Sequence, residues 1–245
     1  MRFSLLLILP AIVLSRELLT CYSVYFLFFP VAESCVIYRY EGSRLLIRSW
    51  VKTVVVGRIV KRVNSWGEAE IIGFRPLTFE LYQREGSFKR DHRYVFDDRG
   101  VLYRIVKYED KGKKVEEGFL SSSIILVDPF TATFLIYTDT PNFVRSTIPL
   151  FYDAKVQHID YRTVGEEKVE IFGKVYDTWK VVLIPRIETR GVLKPKGRWV
   201  LWIDKKTLIP VRLKVGFTLG SVHVYLRKVT GDKKLLPYLK RMRTY

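Results

Sequence analysis

Hydrophobic and polar residues alternate along most of this chain, and the alternation is clearest between residues 197 and 215. A period of two is typical of a β-strand with one face in the protein core and the other in water. The pattern predicts two strands joined by a polar turn at residues 204–207, where the Asp204 carboxylate can bond its own backbone. A third strand is predicted from Ser221 to Val229. We therefore expect an antiparallel meander here.

The same alternation recurs through the rest of the chain, in short segments separated by turn residues. It predicts further strands at residues 18–29, 34–40, 44–53, 77–84, 88–96, 101–109, 149–161, 162–172 and 175–184. None of the breaks between these segments resembles an interdomain linker. Residues 16–245 are therefore predicted to form a single β domain that ends in a basic tail.

Two segments depart from this pattern. Residues 54–63 fit a bent strand or a short amphipathic helix, and their three consecutive valines argue against the helix because β-branched side chains lose rotamer freedom there. Asp128 followed by Pro129 is a favourable helix start, and Phe130, Phe134 and Tyr137 then form one apolar stripe. Residues 121–127 offer an earlier helical turn. A helix in a β chain must bury its stripe, and the concave face of a curved sheet is the natural place.

The chain is strongly basic, with 42 Lys and Arg against 25 Asp and Glu, a net charge of +17. Such a surface favours anionic partners, which include nucleic acids, anionic lipid headgroups and acidic glycans. Lysine and arginine on the exposed faces of strands also keep a sheet soluble and its edges unpaired. Charge alone does not decide between these interpretations.

The first fifteen residues resemble a secretory signal. Arg2 is a minimal positive region, and residues 3–14 form an apolar run that is too short to span a bilayer. Residues 13–15 are a tolerable cleavage site, so we predict export to the periplasm and a mature chain that begins near Arg16. An uncleaved signal anchor is the alternative. An exported protein rarely meets nucleic acid, so we do not expect a nucleic-acid partner.

Chemistry-bearing residues are few. Cys21 and Cys35 are the two cysteines, and they form either a disulfide or a pair of buried thiols. Two close His–carboxylate pairs occur, Asp91-His92 and His158-Ile159-Asp160, but no serine or cysteine in a strained turn accompanies them. The sequence also lacks a zinc constellation and a glycine-rich phosphate loop. We expect no enzymatic activity, no cofactor and no bound metal.

Several motifs resemble a family of secreted bacterial proteins known only as a domain of unknown function, DUF3108, which is similar to the lipoprotein carriers of the periplasm. The motifs are Phe96-Asp97-Asp98-Arg99-Gly100, Asp128-Pro129-Phe130, Gly173-Lys174-Val175, Trp199…Trp202-Ile203-Asp204 and Ile209-Pro210-Val211-Arg212. The resemblance covers residues 19–229. It implies one curved antiparallel sheet, a half-barrel of the lipoprotein-carrier type, closed by a capping helix over an apolar concavity. Relatives tend to end this helix with Leu-Arg, whereas this chain reads Ile136-Tyr137-Thr138.

These features predict a mostly β, non-enzymatic envelope protein that binds an apolar or lipid-like ligand in the concave face of the half-barrel. The predicted lining residues are Phe79, Leu81, Tyr94, Phe96, Phe134, Trp179, Trp199, Leu201, Leu213 and Val215. For each of them, simple packing against the helix is the competing interpretation. The alternative function is an envelope scaffold that presents its basic face or sheet edge to a partner and takes no small ligand.

The C-terminal residues carry a cluster of positive charge. Its members are Lys233, Lys234, Lys240, Arg241 and Arg243. We predict that this basic cluster holds the protein at an anionic membrane surface, where each charge contributes attraction within a Debye length. A solvated face without membrane affinity is the alternative. The sequence does not indicate an oligomeric state.

Overall fold

The computed structural model describes residues 15–60, 62–110, 112–186, 197–217 and 220–243, so the predicted signal segment lies almost wholly outside the described residues. Within them, fourteen strands form one antiparallel sheet. The strands are β1 (Arg16–Phe26), β2 (Phe29–Glu41), β3 (Arg44–Thr53), β4 (Asn64–Ile72), β5 (Arg75–Glu85), β6 (Phe88–Asp97), β7 (Gly100–Glu109), β8 (Gly112–Ser121), β9 (Ser146–Tyr152), β10 (Lys155–Ile171), β11 (Lys174–Arg186), β12 (Trp199–Asp204), β13 (Pro210–Phe217) and β14 (Gly220–Gly231). The helices are α1 (Val55–Val60), α2 (Pro129–Asp139) and α3 (Leu235–Met242).

The sheet consists of two meanders that meet at its centre. Its order is β8-β7-β6-β5-β4-β3-β2-β1-β14-β13-β12-β11-β10-β9, so the first and last strands of the chain pair with each other. One row of register partners runs along the inner face of six neighbouring strands, and all of its members are buried. They are Leu18, Tyr38, Ile47, Ala69, Phe79 and Tyr94. The predicted fold, a curved antiparallel half-barrel with a helix, is confirmed.

Helix α2 starts as predicted. Asp128 is its N-cap, and the carboxylate oxygen Oδ1 accepts hydrogen bonds from the backbone N–H groups of Phe130 (2.8 Å) and Thr131 (3.0 Å). More of the α2 surface is buried than the predicted apolar stripe of Phe130, Phe134 and Tyr137. Thr131, Ala132, Ile136 and Thr138 are buried together with Phe134 and Tyr137, so the helix is enclosed on nearly all sides. It occupies the concavity and does not merely cover it.

The two edges of the sheet approach each other without closing a barrel. After β8 the chain returns to β9, where the Val127 N–H donates to the Pro149 carbonyl (3.1 Å) and the Phe151 N–H donates to the Val127 carbonyl (2.8 Å). The Phe151 ring then packs against the rings of Tyr94 (4.9 Å between centroids) and Tyr103 (5.5 Å). These contacts join the β6–β7 side of the sheet to its opposite edge.

A polar network reinforces this closure. It consists of Gln83, Arg90, His92, Tyr94, Tyr152 and Asp153 and is called the closure network below. His92 is fully buried, with Nε2 2.9 Å from the Gln83 oxygen Oε1 and Nδ1 2.9 Å from the Tyr94 hydroxyl. The Tyr152 hydroxyl donates to the same Gln83 oxygen (3.2 Å). Arg90 on β6 pairs with Asp153 in the β9–β10 turn at 2.7 Å.

One open alternative is decided, one local prediction was wrong, and one helix was not predicted. Residues 55–60 form helix α1, and Gly57 lies against the Val31 backbone so closely that no side chain fits between them. Tertiary packing therefore overrides the valine run. Residues 121–127 form no helical turn, because they end β8 and then pair with β9. The predicted basic tail contains helix α3, whose Leu235, Leu236 and Leu239 are buried.

The predicted strand break near residue 161 was also wrong. β9 ends at Tyr152, and β10 runs without a break from Lys155 to Ile171. The turn between them is Asp153-Ala154, with both residues at positive φ (52° and 59°), the geometry of a tight two-residue hairpin. Asn-Gly or Asp-Gly is the usual signal for such a turn, so Asp-Ala did not reveal it.

The two cysteines are bonded to each other. Cys21 on β1 and Cys35 on β2 are register partners, and the chain turns between the two strands at Leu27-Phe28. The structure thus selects the disulfide over a pair of free thiols. It also places the bond at the centre of the sheet, next to the β1–β14 pairing.

Candidate ligand-binding cleft

An apolar cleft lies at one end of the half-barrel, between α2 and α3. Its volume is about 270 Å³, and one side is open to solvent. The sheet contributes the ends of the β2–β3 and β4–β5 hairpins. The lining residues are Tyr40, Ser43, Leu45, Ile71, Ile72, Gly73, Phe74, Phe134, Leu239 and Met242. We call this space the helix cleft.

The α2 wall of the helix cleft is aromatic. The Phe134 ring stacks on the Phe74 ring, with 5.5 Å between centroids. Phe74 follows Gly73 in the β4–β5 turn, and its backbone has a φ of 68°. A side chain in this left-handed conformation costs about 1 kcal/mol. The packing of Phe74 on Phe134 offsets that cost, and it holds a ring at the cleft in a position where turns normally carry glycine.

The α3 wall comes from the apolar face of a short amphipathic helix. Leu235, Leu236 and Leu239 face the core, and Met242 at the helix end is half exposed at the mouth of the cleft. The Tyr40 hydroxyl donates to the Met242 sulfur (3.7 Å). The helix therefore covers part of this end of the half-barrel and forms one wall of the helix cleft.

Two basic side chains, Lys240 near the end of α3 and Arg243 directly after it, fasten this helix to the end of α2. The Lys240 ammonium donates to the Thr140 carbonyl, and burial lowers the pKa of Lys240. Arg243 lies 3.4 Å from the Asp139 carboxylate, which also accepts a hydrogen bond from the Tyr161 hydroxyl (2.7 Å). These contacts hold the end of α3 against the end of α2.

The ten predicted lining residues, all in the described part of the chain, do not form one cavity. Phe134 is the only one of them that lines the helix cleft. Phe79, Tyr94 and Phe96 are buried in a separate cluster near the sheet closure, and Leu81 packs against it. There Phe79 and Tyr94 are stacked (5.3 Å).

The other five lie on β11, β12 and β13. Leu201 and Val215 are buried, while Trp199 and Leu213 are partly buried against the main core. Trp179 is half-buried, and its ring meets the Phe143 ring at 6.0 Å. Most of the predicted concavity is thus filled by side chains and by α2.

Sequence reasoning missed most of the helix cleft. Tyr40, Leu45 and Ile71 carry the inward alternation of their strands, but nothing local shows that these strand ends stay uncovered. A usable signal was present in α3, because Leu235, Leu239 and Met242 recur at intervals of four and three residues, the spacing of a helical face.

A second cleft, of about 300 Å³, lies beside the tip of the β10–β11 hairpin. It has a mixed lining in which charged residues are prominent. The lining residues are Lys174, Val175, Tyr176, Asp177, Asp204, Lys206, Thr207, Ile209, Val211, Leu226, Val229 and Lys233. We call it the hairpin cleft, and its charge makes it the less suitable of the two for an apolar molecule.

The family comparison covers most of the chain. The model of the family described as "Protein of unknown function (DUF3108)" matches residues 21–227. The chain belongs to the DUF3108 family. The resemblance found in the sequence motifs is thereby confirmed. No curated protein matches this DUF3108 chain.

One solved structure shows a similar fold. A β-barrel-like protein of the domain of unknown function DUF1849 from Brucella abortus superposes with a TM-score of 0.55 at 10% identity, over 90% of this chain and 99% of that one. A putative outer membrane lipoprotein-sorting protein domain from Vibrio parahaemolyticus covers 92% of each chain, with a TM-score of 0.25 at 9% identity. The DUF1849 likeness supports the architecture and nothing about function.

The motifs that carry the DUF3108 resemblance are turns and caps. The Asp97 oxygen Oδ1 accepts from the N–H groups of Arg99 (2.8 Å) and Gly100 (3.0 Å), as Asp128 does at the start of α2. Asp204 accepts from the Thr207 N–H (2.9 Å), which confirms the predicted turn. These aspartates shape the fold and lie outside the helix cleft.

The departure at the end of α2 has a structural counterpart. In place of Leu-Arg, this DUF3108 chain ends the helix with Tyr137-Thr138-Asp139. The Thr138 hydroxyl donates back to the Phe134 carbonyl (3.0 Å), and Asp139 receives Arg243 from α3. A polar contact between helices is present here, with its acid on α2 and its base on α3.

Neither His–carboxylate pair forms a dyad within the described residues. His92 bonds Gln83 and Tyr94, while the Asp91 carboxylate accepts from the Tyr108 hydroxyl (2.6 Å). Asp160 is buried, pairs with Arg145 and Arg186, and accepts from Thr147 (2.7 Å). Hydrogen bonds from Thr147 and Arg145 lower the pKa of Asp160 to about 2.

The basic cluster does not form one surface. Lys233, Lys234 and Arg241 are exposed to solvent, whereas Lys240 and Arg243 are turned toward the end of α2. Three charges of the predicted five are thus available to a partner.

The described ranges contain neither a cluster of potential metal ligands nor a membrane-spanning helix. No group of three or more His, Cys, Asp or Glu side chains is arranged there to hold a metal ion. Their helices are too short or too polar for any of them to cross a membrane.

Proposed function

We propose that this DUF3108 protein is a non-enzymatic binding protein of the bacterial envelope that takes an apolar or lipid-like ligand in the helix cleft. The observation that carries the proposal is the cleft itself, an opening lined mainly by rings and aliphatic side chains. Ligand sites in proteins are typically concave, mostly apolar and about 300–1,000 Å³ in volume. At about 270 Å³ the helix cleft suits one acyl chain or ring rather than a large ligand.

Two features support the periplasm as the compartment of this protein. The Cys21–Cys35 disulfide fits an oxidising environment such as the periplasm. Residues 1–15 have the composition of a secretory signal, and N-terminal sequencing of exported protein should find a start near Arg16. A full-length cytosolic product would contradict this localisation.

The position of the helix cleft, at the end of the fold that carries α3, suits the exchange of a ligand with a membrane. Arg16, at the start of β1, lies over the Tyr238 ring of α3 (4.0 Å) and pairs with Asp232 (2.6 Å). Arg16, the predicted start of the mature chain, therefore lies at the end of the fold that carries α3 and the cleft. The exposed Lys233, Lys234 and Arg241 lie on or beside the same helix. A ligand leaving an anionic bilayer would meet the cleft at this end.

Ligand binding is tested by placing a charge at the mouth of the cleft. Met242→Arg is expected to weaken binding of a dansyl-labelled fatty acid at least tenfold, because a guanidinium must be desolvated for the chain to enter. Met242 is half exposed, so the fold should be kept. Fluorescence titration measures the affinity, and native mass spectrometry of protein purified from membranes identifies any bound lipid.

Val175→Arg in the hairpin cleft is the matched control, since it adds the same charge at another exposed apolar position. It should leave fatty-acid affinity unchanged. Equal loss in the two variants, or no binding by the native protein together with no co-purifying lipid, would contradict the proposal.

Membrane docking is expected to depend on the three exposed charges. Changing Lys233, Lys234 and Arg241 together to Gln should reduce sedimentation with anionic vesicles tenfold or more, since each basic residue near such a surface contributes about 1 kcal/mol. Binding should also fall with added salt. Changing Lys52, Lys89 and Lys228 together to Gln, all of them exposed on strands, removes the same number of charges and serves as the control. Equal partitioning of the native protein to neutral and anionic vesicles would exclude docking.

A further inference from the structure

The strand β8 ends the sheet with one edge unpaired. Among the described residues it pairs with β7 along its whole length, and the sheet order stops there. Backbone N–H and C=O groups on such an edge are available to another strand. Val115 and Phe119 on β8 are each about half exposed, so the edge carries apolar surface as well.

The charges of β8 are arranged symmetrically around Val115. Lys113 and Lys114 precede it, and Glu116 and Glu117 follow it. When two copies of β8 pair antiparallel about Val115, each Lys113 opposes Glu117 of the other copy and each Lys114 opposes Glu116. Moving the register by one residue removes both oppositions and creates a single other one, Lys114 with Glu117 or Lys113 with Glu116, depending on the direction of the shift. A single register therefore opposes all four charged residues to the opposite sign.

The side-chain faces are compatible with this register. Lys113, Val115 and Glu117 alternate with Lys114 and Glu116, and opposed residues in an antiparallel pair share a face. Glu116 already pairs with Lys107 on β7, and Glu117 lies 3.7 Å from Arg104. The Glu117 side chain is still 67% exposed, so its carboxylate can meet a second cation.

We propose that the free edge of β8 binds a second copy of this chain, in a two-fold antiparallel β8–β8 pairing centred on Val115. The two half-barrels then share one continuous sheet. Charged residues on an edge normally prevent pairing with other strands. Here they repel an unrelated strand but match an identical one, which selects the partner. The helix cleft lies elsewhere in the fold, so ligand binding does not depend on this contact.

Charge reversal tests the pairing. In sedimentation velocity, the native protein should shift toward twice its monomer mass as concentration rises. The variant Lys113→Glu with Lys114→Glu, and separately Glu116→Lys with Glu117→Lys, should each dimerise at least about tenfold more weakly, because every pair becomes repulsive. An equimolar mixture of the two variants should dimerise again.

Recovery in the mixture separates this contact from damage to the fold, since unfolded variants would not regain it. Circular dichroism checks that each variant is folded alone. Lys52→Glu with Lys228→Glu applies the same charge change to exposed residues on β3 and β14 and should leave the dimer intact. A native protein that stays monomeric at all concentrations, variants that dimerise like the native chain, or a mixture that does not recover would each overturn the proposal.

Discussion

Replacing Arg90 by methionine is expected to lower the free energy of unfolding by about 3–5 kcal/mol. The Arg90 and Asp153 side chains are only 11% and 13% exposed, and they pair at 2.7 Å across the gap between the two edges of the sheet. Methionine keeps much of the apolar stem but leaves the Asp153 carboxylate without its cation. An uncompensated charge in such a site is costly because water cannot solvate it. Chemical denaturation measures the loss.

A second change identifies the cause. Asp153→Asn in the Arg90→Met background should restore most of the stability, since no unpaired charge then remains and asparagine tolerates the left-handed turn at φ 52°. Arg75→Met is the matched control, because its partner Asp98 is 90% exposed, and it should cost no more than about 1 kcal/mol. If Arg90→Met costs as little as Arg75→Met, the closure network does not stabilise the fold as described.

Replacing Asp128 by asparagine is expected to stabilise the protein at pH 7 by about 3 kcal/mol. Burial raises the pKa of Asp128 to about 6, against an ordinary value of 3.8, although hydrogen bonds from Thr131 and Phe130 act in the opposite direction. Because the folded protein has the higher pKa, this group stabilises the fold below about pH 4, and that contribution is lost as the pH rises through 6. Asparagine is an equally good N-cap and has no charge to bury.

The gain should therefore vanish near pH 4, where native Asp128 is protonated in the folded state. Thermal or urea unfolding of the two proteins at pH 4 and pH 7 measures this difference. Asp98→Asn, at an exposed carboxylate, should change stability little at either pH. A loss of stability in Asp128→Asn at pH 7 would show that the ionised cap is favourable, which contradicts the role assigned to burial.

His92 makes the stability of the Asp128→Asn variant depend on pH. Burial lowers the pKa of His92 to about 4 from an ordinary value of 6.5. Because the unfolded chain binds the proton more readily, stability falls as the pH drops from about 6.5 toward 4, by about 3 kcal/mol. In the native protein the contribution of Asp128 to stability grows as the pH falls over much of the same interval, and it offsets this loss. Asp128→Asn should consequently show the acid destabilisation that the native protein conceals.

The sequence by itself determined the local elements. Strands such as β6 and β13 were predictable because their alternation follows directly from the two-residue period of a pleated backbone. The start of α2 at Asp128-Pro129 and the turn at Asp204 were predictable for a similar reason, since a carboxylate caps backbone N–H groups only two or three residues away. Together with the family motifs, these signals were sufficient for the curved antiparallel sheet.

Only the tertiary structure decided which distant segments of the chain contact each other. The pairing of β1 with β14 and of Val127 with Leu150 joins distant segments, and local periodicity contains no information about such partners. Helix α1 depends on the approach of Gly57 to Val31, and α3 depends on the core that buries its leucines. The helix cleft arises where these separate elements leave space uncovered. Its residues could not be predicted, because the alternation shows which side chains point inward but not how completely the interior is filled.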